Sequence, residues 1–256
     1  MNCYEKFAYI YDKLINEDIS YKIWSQKILD LSSTFHIKFQ DYLDLACGTG
    51  NMTEKIAPHF QNSWAVDLSS DMLSEADKKL RDKKLKINLI CENMCNLNLN
   101  RRFDLITCCL DSTNYLLKEE DLQNYFKGIS NHLNSNGIFI FDINSYYKLI
   151  SILGNNTYTY DKEGITYIWE NYLENEIVDM SLTFFIKYKD RDIYRRFDEY
   201  HRERAYKCST IEHILKSCGL KILKKLDNYQ DKNITDISER ITYIVGQSAN
   251  KLTQGR

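Results

Sequence analysis

The stretch at residues 42–51, read YLDLACGTGN, constrains the fold of this chain more than any other part of the sequence. A short apolar run ends at Cys47 and leads through Gly48-Thr-Gly50 into a stretch that is compatible with a helix. An apolar strand, a glycine turn and a helix start form the layout of a βα corner that binds nucleotides or other cofactors. Glycine has no Cβ atom, so a ligand can approach its backbone closely. Asp44 lies inside the apolar run, where a carboxylate needs a partner, and a polar ligand group beyond the strand end is one candidate.

Strand and helix patterns alternate in the first part of the chain. Short apolar segments predict strands, and stretches with apolar residues three and four positions apart predict helices between them. This β-α order indicates a parallel sheet with helices on both faces. Asn136-Gly137 is expected to form the turn into the fifth strand. The predicted strands are 42–47, 63–68, 87–91, 103–109 and 138–143.

The pattern changes after the fifth predicted strand. From Val178 to Tyr188 apolar and polar residues alternate, which predicts a long strand with one buried face. The segments 164–173 and 193–206 have a similar pattern. We therefore expect an antiparallel, aromatic-rich β insertion at residues 155–208, which serves as a lid, a substrate contact or a dimer contact. The core domain is then formed by residues 1–154 and 209–256.

Composition excludes several classes of protein. The formal net charge is −2, so no general basic surface indicates nucleic acid or an anionic membrane as a partner. We find neither a membrane-spanning apolar segment nor the apolar stretch of a signal peptide, and we expect a cytoplasmic protein. The eight cysteines form no CxxC pair and have no histidine cluster beside them, so we expect reduced thiols and no metal site.

Asp67 is the second polar residue that bears on the ligand. It follows Gly50 by 17 positions and ends the second predicted strand. A carboxylate there can accept hydrogen bonds from both hydroxyl groups of a ribose, although an acidic residue at a strand end can also simply cap the next helix. Thr53 stands where a dinucleotide fingerprint has its third glycine, so a cradle for a pyrophosphate group is poorly supported.

These motifs resemble those of class I S-adenosylmethionine-dependent methyltransferases. Asp44-Leu-Ala-Cys-Gly-Thr-Gly resembles their first motif, with Ala46 in place of the first glycine, and Val66-Asp67-Leu-Ser-Ser-Asp-Met-Leu resembles the second. Residues 103–107 and 137–142 resemble strands four and five of the same fold. The methyl group of Ala46 is expected to be tolerated if the strand is still regular at that point. The resemblance covers residues 40–145 well and residues 209–246 more loosely.

The resemblance implies a particular fold. It is an α/β, Rossmann-like, doubly wound seven-stranded sheet, parallel with an antiparallel last strand, here with the antiparallel β insertion added. The tyrosine-rich start of the chain and the insertion are similar to small-molecule methyltransferases, including glycine N-methyltransferase and sugar N,N-dimethyltransferases.

The resemblance also implies that S-adenosylmethionine is the cofactor and assigns its contacts. Gly48 and Gly50 pass under its methionine part, and Asp44 anchors that end. Asp67 holds the ribose. Tyr11 and Trp24 close over the cofactor, or else they pack as ordinary helix residues. Adenine is held by Leu68 and read at its edge by Asn93 and the Met94 backbone, and the full predicted cofactor set is Tyr11, Trp24, Asp44, Ala46, Gly48, Gly50, Asp67, Leu68, Met72, Asn93, Met94 and Leu110.

Methyl transfer is a nucleophilic displacement that depends on the alignment of nucleophile, methyl carbon and sulfur in a site without water. A protonated amine must first lose a proton, and a base helps. The candidates are Tyr115 and Asp111 on the loop after strand four and His201 in the insertion. With an ordinary tyrosine pKa of about 10, Tyr115 is better suited to orient a group than to act as a base. His201 is a base in the neutral range, or else a solvated surface histidine.

The predicted function is methyl transfer from S-adenosylmethionine to a nitrogen or oxygen of a small molecule, by a monomer or homodimer. The alternatives are a non-catalytic S-adenosylmethionine-binding or dimerising module and an NAD-dependent oxidoreductase. RNA and DNA are disfavoured as substrates by the charge balance and by the absence of an Asn/Asp-Pro-Pro-Tyr/Phe motif after strand four.

Overall fold

A computed structural model describes residues 19–188, 191 and 193–248. Its larger sheet has seven strands in the order β10-β11-β5-β4-β1-β2-β3. Strand β11 pairs antiparallel with both β5 and β10, whereas the pairs among β1 to β5 are parallel. The strands are β1 (Asp41–Leu45), β2 (Asn62–Asp67), β3 (Asn88–Cys91), β4 (Phe103–Cys108), β5 (Leu133–Asn144), β10 (Leu220–Asp227) and β11 (Arg240–Gln247). The predicted Rossmann-like seven-stranded sheet is confirmed.

Helices cover both faces of this sheet, because alternate residues of each strand point to opposite sides. The first apolar cluster contains Phe139 and Phe141 of β5, and the second contains Ile138 and Ile140 of the same strand. Helices α4 and α5 pack in the first cluster, and α1 and α2 pack in the second. The α-helices are α1 (Tyr21–Thr34), α2 (Asn51–Ile56), α3 (Ser70–Asp82), α4 (Glu119–His132) and α5 (Cys208–Ser217).

The second sheet is antiparallel and has four strands in the order β6-β7-β8-β9. These strands are β6 (Thr157–Lys162), β7 (Ile165–Glu174), β8 (Ile177–Lys187) and β9 (Tyr194–Arg204). Val178, Met180 and Phe184 are buried on one face, while Tyr172 and Tyr200 are exposed on the other. The predicted alternation in β8 is therefore confirmed, and the sheet lies within the segment that we expected as an insertion. A π-helix at Lys148–Leu153 precedes it.

Among the first five predicted strands, two bounds are wrong by more than one residue. Strand β1 ends at Leu45 instead of Cys47, because Ala46 takes the left-handed backbone conformation with φ +50°. Strand β5 begins at Leu133, so Gly137 lies inside a strand instead of in a turn. A Cβ atom at Gly137 would lie 2.8 Å from the carbonyl oxygen of Phe103. The glycine is therefore required by close approach to β4.

None of the helices in the described ranges combines the length and apolar character that a membrane crossing needs.

The aromatic stack in the first cluster should dominate the stability of the sheet. The Phe141 ring lies 4.8 Å from Phe139 and 4.9 Å from Tyr243, both nearly parallel to it. We expect Phe141→Ala to lower the free energy of unfolding by about 3–5 kcal/mol, because it leaves a cavity in a buried stack. Tyr172→Ala, on the exposed face of the second sheet, is the control and should change stability by less than about 0.5 kcal/mol. Denaturant unfolding measures both, and equal losses would contradict this assignment.

Candidate functional site

A cavity of about 420 Å³ opens at the carboxyl ends of β1 to β4. This is the edge where ligands bind in open α/β sheets. The predicted residues on its wall are Asp44, Ala46, Gly48, Asp67, Leu68, Met72, Asn93, Met94, Leu110 and Tyr115. The wall residues that we did not predict are Tyr21, Cys47, Thr49, Asn51, Met52, Val66, Ser69, Glu92, Cys95, Cys109, Ser112, Leu116 and Asp121.

The glycine corner shapes the floor of the cavity. Ala46 has φ +50° and Gly48 has φ +54°, so the chain turns sharply as soon as β1 ends. Ala46 is tolerated, but in a left-handed conformation and not in the regular strand that we expected. A Cβ atom at Gly48 would meet nothing within 4 Å. Since Gly48 lies on the wall, a ligand can therefore approach its backbone directly.

Gly50 has a different role from Gly48. It precedes α2 with φ +79°, and it does not line the cavity. A Cβ atom at Gly50 would lie 3.3 Å from Cβ of Ala76 in α3. In a dinucleotide fingerprint the third glycine permits such close packing. The structure thus gives Gly50 a packing role, and Gly48 is the glycine placed to pass under a ligand.

Asp44 is a buried carboxylate, 2% exposed, on the cavity wall. Its Oδ2 accepts a hydrogen bond from Thr53 (2.5 Å) and its Oδ1 accepts one from Thr107 (2.8 Å). These hydroxyl groups are neutral, so they orient the carboxylate without balancing its charge. Burial raises the pKa of Asp44 to about 6, although the threonine hydrogen bonds act in the opposite direction. A cation in the cavity would stabilise the ionised form.

Asp67 supports the start of α3 and also faces the cavity. Its Oδ2 accepts the N–H of Gly48 (2.7 Å), and its Oδ1 accepts the N–H of Ser69 (2.8 Å) just before α3. The carboxylate therefore holds the corner and the start of the helix together. It also lies on the cavity wall. Each carboxylate oxygen can accept a second hydrogen bond from a ligand hydroxyl group.

Apolar side chains form the wall near β2 and β4. Leu68 is 68% exposed and borders the cavity together with Met72 and Leu110. Oδ1 of Asn93 accepts the N–H of Cys95 (2.9 Å), so this amide oxygen already serves a short 3₁₀-helix. Glu92 beside it also lies on the wall. Its position immediately after β3 was the signal that could have identified it.

The charged side chains that the described residues place on the cavity wall are all acidic. Its ionisable carboxylates are Asp44, Asp67, Glu92 and Asp121, and the described wall residues include no lysine, arginine or histidine. Such a cavity favours a cationic ligand and repels a pyrophosphate group.

Trp24 is buried away from the cavity. Its ring stacks on Tyr229 with the centroids 4.4 Å apart, and the Arg240 guanidinium carbon lies 5.3 Å from the ring centroid. Trp24 is therefore an ordinary packing residue of its helix and not a cofactor contact. Tyr21 of the same helix lies on the cavity wall instead. Tyr11 lies outside the described residues.

The structure brings two of the three predicted catalytic residues together. Oη of Tyr115, on the cavity wall, lies 3.3 Å from Nδ1 of His201. His201 is 6% exposed, so the alternative of a solvated surface histidine is wrong. Burial lowers the pKa of His201 to about 4, against an opposing effect of the Asp111 charge. The imidazole is therefore neutral at pH 7 and is a hydrogen-bonding partner more than a base.

Asp111, the third candidate, does not lie on the cavity wall but in a buried polar network. Its Oδ1 accepts a hydrogen bond from Nη2 of Arg240 (2.6 Å). Arg240 also donates to Asp142, which accepts the N–H groups of Leu110 and Asp111 (both 2.9 Å). Tyr229 donates a further hydrogen bond to Asp142 (2.6 Å). This network fixes the loop after β4, and so it positions Leu110 on the wall.

Comparison with known proteins agrees with this geometry. A family model described as a methyltransferase domain matches residues 43–137. A crystal structure of an S-adenosylmethionine-dependent methyltransferase from Clostridium acetobutylicum is similar, with a TM-score of 0.90 and 55% identity, covering 96% of this chain and 100% of that one. A putative methyltransferase from Geobacillus is 32% identical over 94% of this chain and 98% of its own length.

A more distant relative has a stated substrate. A dTDP-3-amino-3,4,6-trideoxy-α-D-glucopyranose N,N-dimethyltransferase from Streptomyces venezuelae is 29% identical over 47% of this chain and 49% of its own length.

The chain belongs to the class I S-adenosylmethionine-dependent methyltransferases, and S-adenosylmethionine is its cofactor. Since the cavity wall is acidic and Gly48 is open to it, the residues present fit this cationic molecule.

The two glycines of the corner should respond differently to alanine. Gly48→Ala places a methyl group in the cavity and should weaken S-adenosylmethionine binding, at a stability cost of about 1–2 kcal/mol for the left-handed backbone. Gly50→Ala has the same backbone strain and a close contact with Ala76. It should therefore lose more stability than Gly48→Ala and less affinity. Denaturant unfolding and calorimetric titration measure the two effects, and the reverse ranking would contradict these roles.

Proposed function

We propose that this protein transfers a methyl group from S-adenosylmethionine to a nitrogen or oxygen of a small molecule. The observation that carries the proposal is the acidic wall of the cavity, which has no basic side chain among the described residues and includes Tyr115, the hydrogen-bonding neighbour of the buried His201. The acidic wall suits a cofactor that carries a sulfonium group. The Tyr115–His201 pair supplies polar groups for a methyl acceptor at the same edge of the sheet.

The cofactor contacts follow from the positions on the wall. Asp44 is placed to attract the positive charges of the methionine part above Gly48, because its own partners are neutral hydroxyl groups. Asp67 is placed to accept the ribose hydroxyl groups. Adenine would lie between apolar side chains, with its amino group toward the polar groups after β3. The residues proposed for that end are Leu68, Met72, Glu92, Asn93, Met94 and Leu110.

At the acceptor end, Tyr115 would orient the nucleophile and exclude water. His201 would hold the tyrosine hydroxyl group in place, since its neutral ring lies within hydrogen-bonding distance. The partial match to a sugar N,N-dimethyltransferase supports nitrogen as the methylated atom. Aromatic side chains on the buried face of the second sheet, such as the stacked Phe184 and Phe197, would shape the space around the acceptor.

The two alternatives are less well supported. An NAD-dependent oxidoreductase needs a favourable site for a pyrophosphate group, whereas the charged groups that the described residues place on the wall are all carboxylates. A non-catalytic binding module has no need for a Tyr115–His201 pair at the cavity wall.

Calorimetric titration with S-adenosylmethionine, S-adenosylhomocysteine and NAD tests the proposal first. We expect binding of the first two and no binding of NAD. A panel of matched amines and alcohols, including glucosamine with glucose and cyclohexylamine with cyclohexanol, then tests transfer through the formation of S-adenosylhomocysteine. Binding of NAD alone would overturn the proposal. Cofactor binding without an acceptor site for any member of the panel would favour the non-catalytic module.

Cofactor affinity should depend on the protonation of Asp44. Its pKa in the free protein is raised to about 6, and a bound cation lowers it. The affinity for S-adenosylmethionine should therefore be full above this pKa and fall as the pH is lowered through it. The loss can reach about tenfold for each pH unit until the pKa of the complex is reached.

Asp44→Asn distinguishes the titration of Asp44 from that of the other wall carboxylates. One of these is Asp67, because burial raises its pKa as well. The variant should bind more weakly above the transition and lose that part of the pH dependence. Asp71→Asn, exposed in the first turn of α3, is the control and should keep the wild-type profile. Identical profiles for wild type and Asp44→Asn, measured by titration on both sides of the transition, would refute the role of Asp44.

A further inference from the structure

Glu203 is a buried carboxylate that lacks a counter-charge. It lies on β9, is 4% exposed, and its Oε2 accepts a hydrogen bond from Nδ2 of Asn144 (2.8 Å). Within the described part of the chain, no hydrogen bond reaches its Oε1, and no basic side chain lies within 4.0 Å of the carboxylate. A buried charge that has a single neutral donor is costly, and a bound cation or proton relieves the cost.

The other two carboxylates of the same network are both paired with the Arg240 guanidinium group. Asp142 accepts two backbone N–H groups, the Tyr229 hydroxyl group and Nη1 of Arg240. Asp111 is paired with Nη2 of Arg240, and the same nitrogen also donates to Oδ1 of Asn144 (3.2 Å). The one guanidinium group of this network therefore serves two carboxylates, and Asn144 links it to Glu203. Among the described residues of this network, Glu203 is the carboxylate without an ion-pair partner, and its Oε1 accepts no hydrogen bond.

Glu203 is also close to the predicted acceptor end. It stands two positions after His201 on β9, so both side chains point to the same face of the sheet, about 7 Å apart along the strand. Cross-strand pairing places Val178 opposite Glu203 and Met180 opposite His201, on the buried face. His201 in turn contacts Tyr115 on the cavity wall. Glu203 is therefore on the same face of β9 as His201, the residue that contacts Tyr115.

We propose that Oε1 of Glu203 binds the ammonium group of an amine acceptor and takes one of its protons before methyl transfer. The inference rests on the proposed function. The carboxylate accepts a proton from the ammonium group and leaves a neutral amine. The nitrogen lone pair then forms the bond to the methyl carbon, and the carbon–sulfur bond breaks with its electron pair on sulfur. The products are a methylated ammonium group and S-adenosylhomocysteine, and Glu203 returns its proton to solvent.

The electrostatic surroundings agree with this role. Burial, and then the charge of Asp111, raise the pKa of Glu203 well above that of an ordinary glutamate. The hydrogen bond from Asn144 and the charges of Lys148 and Arg240 act in the opposite direction but do not cancel the rise. A base whose pKa approaches the working pH is efficient in proton transfer. His201 is a weaker base, because burial lowers its pKa to about 4.

The test compares wild type with Glu203→Gln, which keeps the shape of the side chain and removes its charge. Each protein is saturated with S-adenosylhomocysteine and titrated with cyclohexylammonium and with cyclohexanol. We expect wild type to bind the ammonium ion at least about tenfold more tightly than the alcohol, and Glu203→Gln to lose this preference. Glu203→Asp, which restores the charge on a shorter side chain, should recover part of it. Glu170→Gln, an exposed site on β7, should behave as wild type.

Turnover adds a second readout. For the amine of the panel that is methylated fastest, Glu203→Gln should lower kcat by roughly a hundredfold, which is typical for loss of a general base. Its affinity for S-adenosylmethionine should stay within about twofold of wild type, and Glu203→Asp should be intermediate. Thermal unfolding of each variant confirms that it is folded.

The possible outcomes separate the two proposals. Equal binding of the ammonium ion and the alcohol by wild type, no binding of either, or an unchanged preference in Glu203→Gln would overturn the role of Glu203. If wild type fails to bind S-adenosylmethionine, the proposed function itself fails. A protein that binds S-adenosylmethionine and methylates an amine equally well with Glu203→Gln would retain the function without this residue.

Discussion

The buried ion pair between Asp142 and Arg240 is the interaction on which the rest of the site depends. Asp142 lies near the end of the long strand β5, and Arg240 begins the antiparallel strand β11 beside it. The carboxylate holds the backbone of the loop after β4, while the guanidinium group holds Asp111 and Asn144. Since a buried ion pair is stable only when its remaining hydrogen bonds are satisfied, each of these contacts supports the others. The cofactor cavity, the closing hairpin of the sheet and the second sheet meet at this point.

The positions of the charged side chains distinguish the cofactor cavity from the polar network beside it. Among the described residues, the charged groups on the cavity wall are all carboxylates, whereas the guanidinium group of Arg240 is engaged by Asp111 and Asp142 and does not line the cavity. A sulfonium cofactor is therefore attracted to the wall, and its thioether product, which has lost one positive charge, is attracted less. Glu203 is a second buried carboxylate whose hydrogen-bond donor is a neutral group. Asp44 and Glu203 are thus both buried carboxylates without an ion-pair partner among the described residues.

Local patterns were sufficient for much of the fold and for the cofactor end of the site. The order of strands and helices follows from hydrophobic periodicity, and Asp44 and Asp67 were recognisable because each stands in or at the end of an apolar strand next to a glycine corner. Gly50 and Trp24 show the limit of this reasoning. The type and spacing of a residue predict that it is needed, but whether it serves a ligand or a neighbouring helix depends on which element packs against it. Ala76 and Tyr229, the neighbours concerned, are distant in sequence.

Local sequence patterns were enough to predict the β-α order and the glycine corner, because these depend on backbone geometry and on contacts between residues close in the chain. The class of methyltransferase followed from the resemblance of two short motifs. Only the tertiary structure decided how the polar groups pair. Arg240 is 98 residues from Asp142 and 129 from Asp111, and Glu203 is 59 from Asn144. Hydrophobic periodicity along the chain does not predict such pairs. They form because strand order and packing bring side chains that are distant in sequence together in the protein interior. That burial is also what sets the pKa values of Asp44, His201 and Glu203, and with them the chemistry proposed for the site.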